Sequence, residues 1–141
     1  MKVEFHVLSS GDETERIKKA CALAEDAWLK GEKVWLTADD EEQAKYIDQM
    51  LWTFRADSFV PHERLNDPAR VEAPVLVALQ TQLHQLAPGV VINLAAEPVS
   101  ACDAAHRVIE VLAASDSARE EGRARYRQYR DAGCELDTVH A

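Results

Sequence analysis

The sequence predicts an α/β fold in which a mixed, mostly parallel central sheet is flanked by helices and closed by a C-terminal helix. Two observations predict it: strand-like and helix-like segments alternate through the first half, and an Arg-rich helical pattern ends the chain. With 141 residues, 47% of them hydrophobic, the chain has material for one domain spanning residues 1–141. A chain of this size buries roughly two thirds of the surface it exposes when unfolded.

Lys2 to Leu8 opens with apolar residues at alternate positions, Val3, Phe5 and Val7, the period of a strand. Ser10 and Glu13 have capping-box spacing, and Ile17, Ala20, Cys21, Ala24, Ala27 and Trp28 follow at helical intervals up to Gly31. Val34 to Thr37 reads as a second strand. Asp40 with Gln43 opens a second helix whose inner face is Ala44, Ile47 and Leu51. Residues 53–73 carry two prolines and neither period, the pattern of a long interface loop. Val75–Leu79, Val90–Leu94 and Val108–Leu112 are strands with little helix-like sequence between them, which predicts that part of the sheet is antiparallel or edge-exposed. The last helix runs from about 117 to 133, with Ser117 and Glu120 at its start and Ala118, Gly122, Tyr129 and Gly133 nearer the body. Glu135 to Ala141 reads as a short polar tail.

Charge and motifs narrow the function. Sixteen Lys and Arg against 25 Asp and Glu leave a net −9, which argues against a protein that grips nucleic acid through phosphates. Cys21, Cys102 and Cys134 form no CxxC pair and cannot close a disulfide set, as expected in a reducing cytoplasm. No run reaches the roughly 20 apolar residues of a membrane span, and the N-terminus lacks a signal peptide's pattern. The first strand-to-helix turn, Ser9-Ser10-Gly11-Asp12-Glu13, holds neither a dinucleotide fingerprint nor a phosphate loop. Asp39 and Asp40 suit helix capping better than Mg²⁺ binding. His6, His62, His84, His106 and His140 have no metal-ligand spacing, and no nucleophile elbow is present. No cofactor, metal or catalytic constellation is therefore expected.

Two clusters remain. Leu51 to His62 concentrates Trp52, Phe54, Phe59 and Pro61 outside any period, either as anchors for a partner or as a lid packed onto the sheet. On the last helix Arg119, Arg123 and Arg127 align at i, i+4, i+8 beside Tyr126, and Arg119 to Arg130 holds five Arg against two Glu. That stripe is either a solvated, salt-bridged face or a docking patch for an acidic peptide.

Leu51–His62 (LWTFRADSFVPH) and Gly122–Gly133 (GRARYRQYRDAG), with Trp28–Val34 and Asp39–Ala44, closely resemble the chi subunit of bacterial DNA polymerase III holoenzyme over essentially the whole chain. The resemblance implies a Rossmann-like sheet and a non-catalytic accessory subunit of the clamp-loader assembly. It also implies that the acidic, aromatic-ended C-terminal tail of single-stranded-DNA-binding protein docks on Leu112, Arg123, Tyr126 and Arg127. Trp52, Phe59 and Pro61 correspond to the surface for the psi subunit, the link to the clamp loader, or for a helicase competing for that surface. Little direct nucleic-acid binding and no membrane contact are expected. The alternative from a different class is a small Rossmann-like nucleotide-binding enzyme or sensor.

Overall fold

A computed structural model describes residues 1–85, 89–100 and 105–140; Cys102 and Ala141 lie outside them. The strands are β1 (Lys2–Val7), β2 (Val34–Ala38), β3 (His62–Arg64), β4 (Val75–Leu79), β5 (Gly89–Asn93), β6 (Ala105–Leu112) and β7 (Glu135–His140). The helices are α1 (Glu13–Leu29), α2 (Glu41–Thr53) and α3 (Asp116–Asp131). The sheet order is β3-β4-β2-β5-β6-β1-β7.

The α/β class and the C-terminal helix are as the sequence predicts, but the expectation of antiparallel pairing is corrected: every pairing among the described residues is parallel. The reason lies in the connections. β4 and β5 pair with opposite edges of β2, so the chain must cross over β2 between them, and it leaves β4 through a 3-10 turn, Gln80–Gln85, instead of a long helix. The expected tail is also corrected, because Glu135–His140 pairs along β1 as β7. Its polar composition suits an outer strand, where charged side chains discourage pairing with another molecule. The 53–73 segment holds β3 and a 3-10 turn at Pro68–Arg70.

Two helix starts differ from the spacing-based expectation by two residues. Asp12, not Ser10, caps α1 by accepting from the Glu15 amide at 3.2 Å, and Ser115, not Ser117, caps α3 by accepting from Ala118 at 3.1 Å. The α2 cap is where the sequence puts it: Asp40 accepts from the Gln43 amide at 2.8 Å, and Gln43 returns a side-chain oxygen to the Asp39 amide at 2.7 Å.

Each face of the sheet has its own core. On one, Ile17, Ala20, Cys21 and Ala24 of α1 and Ala44, Ile47 and Leu51 of α2 meet Leu36, Ile92, Ile109 and Val111. Burial pushes the Cys21 thiol up to about 12, so it is an apolar packing group there. On the other face Tyr129 of α3 packs with Val3, Phe5, Val91, Val108 and Leu112.

α3 is fixed to that second face by polar groups as well. Glu110, fully buried in the middle of β6, accepts from Arg125 Nε at 3.0 Å, the Tyr129 hydroxyl at 2.6 Å and Asn93 Nδ2 at 2.8 Å. Burial pushes the Glu110 carboxyl up from its ordinary value, while Arg125, Asn93 and Tyr129 pull the other way. The Tyr129 hydroxyl, raised by burial and by Glu110, also accepts from the Val99 amide at 2.8 Å. Arg125, counted in sequence among the cationic residues of the last helix, is thus an internal strut, and Gly122, Arg125 and Tyr129 are the buried residues of α3. Gly133 is exposed and Ala118 half-buried. Glu110→Ala leaves the Arg125 guanidinium buried without its carboxylate, so it is expected to lower stability by about 3–5 kcal/mol in urea unfolding; an unchanged midpoint would contradict this role.

Candidate functional site

The carboxyl ends of parallel strands β1, β6 and β7 leave a rim over which the first half of α3 passes. α3 comes close because it carries no side chain at Gly122: a Cβ there would stand 2.5 and 2.8 Å from the two Leu112 methyls. Under this helix opens a cleft of about 490 Å³. Phe5, Val7 and Leu8 of β1 and its exit form one wall, Leu112 lies against Gly122, and Arg119, Arg123 and Tyr126 of α3 form the opposite wall. Thr138 and His140 of β7 close the outer side.

The cleft joins apolar surface to cations. Tyr126 remains 37% exposed while its ring tilts against Phe5, centroids 5.4 Å apart, and Phe5 meets Tyr129 edge-on at 6.0 Å. The charge-bearing groups are free to act outward: among the described residues Arg119, Arg123 and Arg127 have no ion-pair partner. Arg125 is taken by Glu110 and Arg130 by Asp131. An anionic chain with an aromatic end could therefore pair its charge with the guanidinium groups and bury its ring beside Tyr126 and Leu112.

The structure brings together three of the four tail-site residues named from sequence, Leu112, Arg123 and Tyr126. Arg127 is exposed on the same helix but does not line the cleft. Sequence reasoning missed Phe5 and Leu8 as walls, and Thr138 and His140 because their segment reads as a tail. The i, i+4 spacing from Arg123 does point to Arg119.

The aromatic cluster after α2 divides in two. Phe54 packs against the core of the opposite sheet face and Val60 is buried within it. Trp52 and Phe59 face outward, 56% and 63% exposed, with ring centroids 5.8 Å apart; Pro61 beside them is half-buried. Trp52 also meets the His62 ring edge-on at 4.6 Å. Of the two alternatives read from composition, packing onto the sheet holds for Phe54 alone among the aromatic residues, while Trp52 and Phe59 stay exposed as an adjacent pair.

At the crevice where many open α/β sheets bind ligands, a cavity of about 220 Å³ remains, and the polar side chains that line it are largely engaged with the protein itself. Arg16 donates to the carbonyls of Val111 at 2.7 Å and Leu94 at 3.3 Å, and Gln43 Nε2 donates to Leu94 at 2.9 Å. Asp39 accepts from the Ala96 amide at 3.0 and 3.1 Å, which with Asp40 as helix cap engages both carboxylates. No cluster of three metal-ligating side chains occurs among the described residues, and no helix among them is long and apolar enough to cross a membrane.

Comparison with known proteins supplies the family. The family model described as "DNA polymerase III chi subunit, HolC" matches residues 1–137. The chain belongs to this family. It is 35% identical to the DNA polymerase III subunit chi of Pseudomonas aeruginosa over 139 residues, covering 96% of this chain and 93% of that one. Against subunit chi of Escherichia coli the identity is 32% over 119 residues, covering 84% and 81% of the two chains. Subunit chi of Haemophilus influenzae is 27% identical over 135 residues, 96% and 94% of each. As a chi subunit the chain is an accessory subunit of DNA replication.

The close approach at Gly122 has a measurable sign. In an unconstrained helix interior Gly→Ala stabilises by about 1 kcal/mol. Gly122→Ala is instead expected to destabilise by about 1–3 kcal/mol in urea unfolding, because Leu112 and α3 must move apart. Stabilisation by that variant would contradict the packing described.

Proposed function

We propose that this chi subunit couples the polymerase III clamp-loader assembly to single-stranded-DNA-binding protein by holding the acidic C-terminal tail of that protein in the cleft beneath α3. The observation that carries the reading is the pairing of unneutralised Arg119 and Arg123 with an apolar, ring-lined cleft on a chain of net charge −9. Attraction to the arginines steers the anionic tail, and insertion of its terminal ring beside Tyr126 and Leu112 supplies burial and orientation. Arg127, exposed on the same helix, adds to the positive field without lining the cleft. The strand coated by that protein presents a peptide in place of bare phosphate, so the subunit has no need of a basic nucleic-acid surface.

On the other sheet face, Trp52 and Phe59 with Pro61 form the surface for the psi subunit, through which chi reaches the clamp loader, or for a helicase competing for it. Adjacent exposed aromatic rings of this kind are strong interface anchors.

Because a disordered tail becomes ordered on docking and few residues engage, the affinity of a labelled tail peptide is expected to be roughly micromolar. It should weaken as salt is raised, since the pairs lie at a solvent-exposed rim. Arg123→Ala, removing charge-assisted hydrogen bonds, is expected to cost about 1.5–3 kcal/mol of tail binding without loss of fold. Fluorescence anisotropy at two ionic strengths checks both; affinity indifferent to salt and to Arg123→Ala would overturn the proposal.

A further inference from the structure

Helical phase puts Glu25 on the face of α1 that packs on the sheet, beside Cys21 and Ala24, where it is only 8% exposed. A carboxylate in that setting is costly unless its oxygens find donors. Both donors come from one segment far along the chain: Arg55 Nη1 donates to Oε1 at 2.7 Å and the Ser58 hydroxyl donates to Oε2. The Arg55 guanidinium also lies over the Phe54 ring, 5.3 Å from its centroid. The stretch from Phe54 to Val60 contains no regular element, yet it is held at Phe54 and Val60 by the core and at Arg55 and Ser58 by Glu25. Phe59, between two inward-held neighbours, is turned outward beside Trp52.

We propose that Glu25 is a positioning residue for partner docking: its buried carboxylate fixes the 54–59 arc so that Phe59 stands against Trp52 before any partner arrives. The inference rests on the assignment of Trp52 and Phe59 to the psi surface. Without the tie the arc must be ordered on association, and the entropy of that ordering is subtracted from affinity.

The test titrates purified psi subunit and, separately, the labelled tail peptide onto the full-length wild-type chain and the variants Glu25→Ala, Glu25→Gln, Arg55→Ala and Phe59→Ala. Arg55 is half-exposed, so Arg55→Ala keeps the fold if Glu25→Ala does not. Expected are a loss of psi affinity of about tenfold in Glu25→Ala and Arg55→Ala, a smaller loss in Glu25→Gln, and unchanged tail affinity in all three. Amide hydrogen exchange should accelerate across residues 54–60 in Glu25→Ala. Wild-type psi affinity in Glu25→Ala and Arg55→Ala, alongside weakened binding in Phe59→Ala, would overturn the inference and leave the surface assignment standing. Wild-type psi affinity in Phe59→Ala would overturn the surface assignment and the inference with it.

Discussion

Glu110 has no exposed surface, yet three side chains from two elements converge on its two oxygens: Asn93 from β5, and Arg125 and Tyr129 from α3. Thr37 of β2 extends the chain of contacts by donating to Asn93 Oδ1 at 2.8 Å. A buried carboxylate so placed is tolerable only with every oxygen partnered, so α3 can sit on the sheet in one rotational setting. That setting turns Gly122 onto Leu112 and directs Arg119, Arg123 and Tyr126 to the cleft. The position of the cleft is thereby a consequence of an ion pair on the opposite flank of the same helix.

The sheet keeps two surfaces apart. One face carries α3 and the cleft; the other carries α1 and α2, with the Trp52 and Phe59 pair at the end of α2. The two surfaces use different physics: an apolar slot edged by cations suits a mobile anionic peptide, and exposed rings on a pinned arc suit a folded partner. In both, a carboxylate within the body sets the direction of groups at the surface, Glu110 for α3 and Glu25 for the arc.

Local pattern made much of this legible. Ala44, Ile47 and Leu51 are the buried residues of α2, Asp40 and Gln43 cap it, and Val75–Leu79 is β4 to the residue. What escaped depends on contacts between distant segments. Glu135–His140 is polar enough to read as a tail, and only its register on β1 makes it a strand and a cleft wall. Arg125 is indistinguishable from its neighbours by spacing, since nothing local reveals that Glu110 awaits it across the core. One signal was present: a lone glutamate inside the apolar run Val108–Leu112 must point into the protein or break the strand, and Glu25 among Cys21, Ala24 and Ala27 poses the same question. A charged residue at an apolar phase is a sequence-level pointer to a buried partner.

Peptide docking beneath α3 is tested most directly by a map of backbone amide resonances while an acidic, aromatic-ended tail peptide is added. Docking in the α3 cleft predicts shifts concentrated at Leu8, Leu112, Gly122 to Tyr126 and Thr138 to His140, with residues 52–62 silent. Shifts centred on residues 52–62, or none at the α3 cleft at saturating peptide, would contradict it.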